Sequence, residues 1–264
     1  MTPSVSPALV GWISQMGDPY RLAEVVIQRR FPGFLLCHHE DVATPEEHLL
    51  ALAPETLREW SQTNAAGMFR PNRTAPGLRR GWKSEARTDA ALETALEGLY
   101  PGAIADWYAV QSETAKVTSF REFMGRQTGM YRRISELDDP QAVRIVQAGC
   151  EVGSCLRRRL WTVSDLPTDV LGAKSVIPCL EPCALLLEFA RRAQQLEKDP
   201  EVSVPLRAGE IATLRACLDH ALDRPDPGIR EGDTSSPLNS RRLRLLRNRL
   251  TASLGVDEKL RKES

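Results

Sequence analysis

No stretch of this chain is apolar over the roughly 18 to 20 residues that a membrane-crossing helix needs. The longest apolar runs, at 49–53 and 184–187, are short and flanked by charge. Surplus charge is also missing. The 264 residues carry 35 basic and 35 acidic side chains, a formal net charge of zero. Binding to nucleic acid without sequence preference depends on excess positive charge that displaces counterions, so that class is excluded and no specific nucleic-acid partner is expected. Histidine is scarce, at His38, His39, His48 and His220. The patterns G-x-x-x-x-G-K-[ST], G-x-G-x-x-G after a strand, H-E-x-x-H and G-x-S-x-G are absent, which removes the common phosphate-cradling, zinc-protease and serine-hydrolase chemistries. The first residues lack the basic and apolar regions of a secretory signal, so the expected compartment is the cytoplasm, where thiols stay reduced.

Against that background six cysteines stand out: Cys37, Cys150, Cys155, Cys179, Cys183 and Cys217. Four form a C-x4-C and a C-x3-C pair, Cys150 with Cys155 and Cys179 with Cys183. Four thiolates suit either a structural zinc or an iron–sulfur cluster. Zinc sites favour tighter C-x2-C pairs, and a cluster is a larger object whose irons lie at separate corners, so the wider spacing leans toward the cluster. C-x4-C also occurs at zinc sites, and i, i+4 cysteines also fill core edges, so these readings stay open. The radical-SAM pattern C-x3-C-x2-C is absent.

The surroundings add detail. Pro182 precedes Cys183, and strong helix formers follow, so Cys183 is expected at a helix start, where unpaired N–H groups and the positive dipole end favour a thiolate. Gly149 and Gly153 supply backbone able to wrap closely around a cofactor. Arg157, Arg158 and Arg159 either offset the negative charge of a four-thiolate cluster or decorate a solvated helix face.

Apolar periodicity predicts helices near 8–16, 89–99, 141–148, 184–198 and 210–222, with a looser one from 119 that Gly125 and Gly129 weaken. Two strands are expected around a Pro32–Gly33 turn. Thr44, Pro45 and Glu47 read as a capping box and 53–60 as a short helix. Residues 69–82 are irregular and carry Arg70, Arg73, Arg79 and Arg80, either an anion-binding loop or a loop pinned by salt bridges. A polar loop is expected at 224–236. A basic helix at 237–250 follows, with Leu243, Leu246 and Leu250 as its packing stripe and its arginines as a possible docking face.

Four segments, FRPNRTAPGLRRGW (69–82), RQTGMY (126–131), CLRRRLW (155–161) and IPCLEPC (177–183), resemble the 4Fe–4S-binding region attached to some CbiX-type sirohydrochlorin cobaltochelatases. The resemblance runs from about residue 25 to 192. It implies an N-terminal stabilising segment followed by a cluster domain whose four ligands are Cys150, Cys155, Cys179 and Cys183. The chelatase domain of that family, with its metal-binding histidines, has no counterpart in these residues, so chelatase activity is not carried over.

The resulting expectation is an α+β protein, mostly α. A small β-hairpin unit (1–112) precedes a helical cluster-binding unit (113–264). The cofactor is a 4Fe–4S cluster held by the four cysteines. The function is electron transfer or redox sensing linked to tetrapyrrole or cobalamin metabolism, with a redox partner or a separate chelatase, and no catalytic signature lies beyond the cluster. A zinc-stabilised interaction module and a tetrapyrrole-binding accessory protein are the alternatives.

Overall fold

The computed structural model describes residues 5–70, 73–150, 155–169, 176–197, 200, 203–223 and 239–262. The polar loop expected at 224–236 and residues 151–154 of the first cysteine pair lie outside these. The chain forms two compact units. The first comprises Met1–Val117, Cys155–Trp161 and Thr168–Leu180; the second comprises Thr118–Ser154, Thr162–Pro167 and Glu181–Ser264. The fold is α+β and mostly α, as expected, with the sheet toward the N-terminus.

The first unit opens with α1 (Val5–Met16) and β1 (Tyr20–Leu22), then β2 (Val25–Arg30) and β3 (Gly33–His38). The predicted hairpin is present, with Arg30 opposite Gly33 across the Phe31–Pro32 turn. It is the centre of a larger, five-stranded sheet, ordered β1-β2-β3-β5-β4, in which β4 is Leu50–Ala51 and β5 is Trp82–Ala86. Strand β3 lies between β2 and β5, and every residue from Phe34 to His38 is buried. Strand β5 turns Trp82, Ser84 and Ala86 inward and Glu85 outward, the period-two alternation of a pleated strand. Two of its three inward residues are small, which hides it from a search for apolar alternation.

Gly33 permits the central pairing. A Cβ there would sit 2.2 Å from the Ala86 carbonyl oxygen, a backbone atom that cannot swing aside. Gly33→Ala is therefore expected to pry β3 from β5 and to lower stability by about 1–3 kcal/mol, read as a lower urea midpoint. An unchanged midpoint would show that β3 and β5 part at that end without cost.

Next come α2 (Leu57–Trp60), α3 (Asp89–Leu99) and α4 (Ala103–Gln111). Thr88 caps α3 by accepting the Ala91 N–H at 3.1 Å. Leu92, Ala95, Leu96 and Leu99 recur at helical spacing and are fully buried, packing α3 against α1 and α2. The capping box expected at Thr44 is not formed. The turn there is a single 3-10 turn, Glu46–His48, with no side-chain cap. The neighbouring Glu46 pairs with Arg30 and Lys83, which hold its carboxyl down at about 2. Two short parallel strands, β6 (Arg158–Arg159) and β7 (Pro178–Cys179), complete the unit, with Arg159 opposite Cys179.

The described part of the second unit is helical: α5 (Phe120–Gly125), α6 (Asp139–Cys150), α7 (Ala184–Glu197), α8 (Ala208–Leu222) and α9 (Ser240–Lys262). Ser119 caps α5. A 3-10 run, Gly129–Glu136, follows, so the weakening expected at Gly125 and Gly129 is where the α-helix ends. Asp138 and Gln141 cap α6 reciprocally, at 2.7 and 3.0 Å. Helix α6 runs past Ala148 to Cys150.

Helix α9 packs on α6 and α8, but not through the expected leucine stripe. Leu246 is 47% exposed, while Arg241, Arg244 and Leu245 are buried. The aliphatic stems of arginine cover apolar surface while their heads find polar partners, so a pattern drawn from leucines alone picks the wrong face. Arg241 and Arg244 are thereby removed from the docking face that the sequence suggested.

Candidate functional site

None of the six cysteines is joined in a disulfide. Cys37, on β3, is buried, and burial raises its thiol pKa, with Asp41 and Glu46 adding to the rise; Cys217 is exposed on α8. The four candidate ligands divide equally between the units.

Cys155 and Cys179 belong to the first unit. Cys155 is half-buried, and its Sγ accepts the backbone N–H of Arg157 at 3.3 Å. The chain around it is pinned on both sides. Leu156 N–H donates to the Thr74 carbonyl at 2.6 Å. The Arg157 guanidinium donates to Asp106 at 2.7 Å and to the Pro101 carbonyl at 2.8 Å. Cys179 ends β7, also half-buried, and its Sγ accepts Nε1–H of Trp161 at 3.4 Å. The register that places it there is set by Arg158 N–H to Ile177 O at 2.8 Å and Leu160 N–H to Cys179 O at 3.0 Å.

Cys150 and Cys183 belong to the second unit. Cys150 is the last residue of α6, and Cys183 immediately precedes α7, its carbonyl accepting the Leu187 N–H at 3.1 Å. The end of α6 lies against the first turns of α7: a Cβ on Gly149 would stand 2.7 Å from Leu186 Cδ1 and 3.2 Å from Phe189 Cδ1. The close approach at Gly149 is to a neighbouring helix, where the sequence suggested a cofactor. Among the described residues, no three His, Cys, Asp or Glu side chains stand together as a finished metal site.

The arginine run at 157–159 is not a helix face. It is extended, so alternate side chains leave on opposite sides. Arg159 is buried, its guanidinium 5.1 Å from the Trp161 ring centre and its Nη1 donating to the Trp161 carbonyl at 2.7 Å. Its backbone is held at both ends by Asp169, through Arg159 N–H to Oδ2 at 2.9 Å and Asp169 N–H to Arg159 O at 3.1 Å. Neither Trp161 nor Asp169 was singled out from sequence; a tryptophan closing a cysteine-led segment was the one available signal.

The loop 69–82 proves to be pinned, and residues 71 and 72 of it lie outside the described set. Arg70 is buried, donating to the Ala75 carbonyl and standing 3.7 Å from the Glu24 carboxylate. Arg79 lies 3.8 Å from the Trp60 ring centre and donates to Thr63. Arg80 pairs with Glu40. Glu24 is the hub: it accepts N–H from Gly77 at 2.7 Å and from Leu78 at 3.1 Å, and His38 Nε2 lies 4.0 Å away. The hydroxyl of buried Tyr100 accepts the Glu24 backbone N–H at 3.1 Å. Three of the four guanidiniums are engaged within the protein, as in the salt-bridged reading of the loop.

Burial alone would raise the Glu24 carboxyl, but His38, the Gly77 and Leu78 N–H groups and Arg70 together bring it below its ordinary value of 4.5. A carboxylate depressed in the folded state stabilises fully above its unfolded value, and that contribution is lost as pH falls through the folded value. The urea midpoint should therefore drop below pH 4.5, more steeply in the wild type than in Glu24→Gln. Parallel pH profiles would remove Glu24 from the account of acid sensitivity.

Residues 112–192 match the family model of a 4Fe-4S iron-sulfur cluster binding domain, a span that contains all four candidate cysteines. Residues 15–111 match the DR2241 stabilising domain. No curated protein matches the chain. Among solved structures the chain is similar to DR2241 from Deinococcus radiodurans, described as a multi-domain protein with structural similarity to chelatases and two additional novel domains. The two share 30% identity with a TM-score of 0.60, over 72% of this chain and 41% of that one. The chain thus spans about two fifths of that protein's length. The cofactor of the matched region is a 4Fe–4S cluster.

Proposed function

We propose, for a chain whose residues 112–192 match a 4Fe–4S cluster binding domain, that Cys150, Cys155, Cys179 and Cys183 ligate the cluster and that the protein transfers single electrons. The observation that carries the reading is that the sulfurs of Cys155 and Cys179 each accept an N–H, the environment in which a thiolate ligand is stabilised. The donor set fits the group. None of the four is tied up in a disulfide, and Cys183 stands at the start of the 14-residue α7, where unpaired backbone N–H groups gather. When bound, the cluster supplies one-electron exchange. Four thiolates fill its terminal positions, so this chain's residues hold, shield and tune it, and no substrate is ligated at iron.

The finer setting follows from the same residues. Cysteines left out of disulfides favour a reducing compartment such as the cytoplasm. The similarity to a chelatase-like protein supports a role beside tetrapyrrole or cobalamin chemistry, with a separate chelatase or another redox protein as the partner. A tetrapyrrole bound through the arginine loop is the weaker version, since Arg70, Arg79 and Arg80 are already engaged. Protein purified without oxygen is expected to carry iron and acid-labile sulfide in equal amounts and to give a paramagnetic resonance signal on reduction with dithionite. Stoichiometric zinc without sulfide would replace this reading with the interaction module.

A further inference from the structure

The indole of Trp161 has one hydrogen-bond donor and no acceptor, and the residue is buried, at 1% exposure. A buried indole N–H usually meets an oxygen; here its partner is the Cys179 sulfur, at 3.4 Å. A neutral thiol is a weak acceptor, whereas a sulfur carrying negative charge is a good one. The indole has little freedom to seek another partner. The residue before it is tied to β7 by Leu160 N–H to Cys179 O at 3.0 Å. Arg159 covers the ring from 5.1 Å and is itself clamped by Asp169. The arrangement aims a fixed dipole at one cysteine sulfur, and a buried cation backs the ring that carries it.

We infer that Trp161 is a positioning residue that sets the reduction potential of the cluster through its N–H···S bond to Cys179, with Arg159 as its brace. This rests on the ligand assignment proposed above. Reduction adds negative charge to the cluster and its sulfurs, so a donor aimed at one of them binds the reduced state more tightly and raises the potential. Trp161→Phe keeps an aromatic ring in the cavity and removes the donor. The variant should load iron and sulfide like the wild type and reduce less readily. At the wild-type midpoint its ratio of reduced to oxidised cluster should fall about three- to tenfold, the net worth of one ordinary hydrogen bond, because the bond exists in both states and only its strengthening on reduction counts.

An unchanged midpoint with full loading would overturn the inference and leave the ligand assignment standing. Absence of iron and sulfide from the wild type would instead overturn the assignment. Should Trp161→Phe fail to fold, the wild type still decides. Protein labelled with 15N at the indole nitrogens of its five tryptophans and reduced with dithionite is expected to show a 15N hyperfine coupling in pulsed paramagnetic resonance. That coupling should persist when Trp12 is replaced by phenylalanine. No indole coupling in the wild type would rule the hydrogen bond out.

Discussion

Replacing any one of Cys150, Cys155, Cys179 or Cys183 by alanine is expected to bring iron and sulfide in anaerobically purified protein down to background. Replacing Cys37 or Cys217 should leave both at wild-type levels. The contrast follows from where the six thiols sit. Cys37 is enclosed in the central strand, with its thiol pushed up by burial, and Cys217 stands exposed on α8, outside the residues that match the cluster domain. The other four lie inside that match. Loss of a residue that merely supports a ligand typically costs about 10- to 100-fold in metal affinity, and removing a thiolate goes further, because an iron is left with one ligand too few. Serine variants should retain more metal than alanine variants, since an oxygen can take the vacated position. Full loading in a Cys179→Ala variant would assign the ligand role elsewhere.

The second large effect is expected away from the cysteines. Arg70→Met should destabilise the first unit by about 3–5 kcal/mol, because it leaves the Glu24 carboxylate buried without its cation. Glu24 is 8% exposed and Arg70 6%, so solvent cannot take over for either. Removing both charges together, Glu24→Leu with Arg70→Met, should recover much of the loss, since a buried pair replaced by apolar side chains is often neutral. Arg73→Met, in the same loop, should stay within about 0.5 kcal/mol. Urea unfolding followed by tryptophan fluorescence separates these outcomes. Equal, small effects at Arg70 and Arg73 would mean that the loop is held by something other than this pair and would reopen its role as an anion-binding surface.

The parts of the fold that were legible in the sequence are those whose signal is local. The hairpin showed in two β-branched and aromatic runs around Pro32 and Gly33, and α3 in four apolar residues at helical spacing. Helix α6 showed in the apolar periodicity of 141–148. The parts that were hidden depend on distant partners. Strand β5 has inward residues as small as Ser84 and Ala86 and is a strand because β3 lies beside it. Thr44 has the chemistry of a cap, but the turn after it is too short for one, and Glu46 is drawn to Arg30 and Lys83. In α9 the buried arginines are recognisable only once α6 and α8 are in place.

The candidate site divides in the same way. Cysteine spacing and type pointed to four thiolates and to a cluster in preference to zinc. Nothing in that spacing reveals that the Cys179 sulfur receives an indole N–H. That contact depends on pairing two-residue strands 20 positions apart, Arg158 with Pro178 and Arg159 with Cys179, and two-residue strands carry no periodic signature. The same register makes extended chain of a run of three arginines that could as well have been helical.

The most direct test is diffraction at the iron absorption edge from crystals of the protein purified and reduced without oxygen. The account predicts one compact group of four anomalous scatterers, each iron bonded to a different sulfur among Cys150, Cys155, Cys179 and Cys183, with Trp161 Nε1 still facing the Cys179 sulfur. A single scatterer, a zinc signal in its place, or iron bound through Cys37 or Cys217 would contradict it.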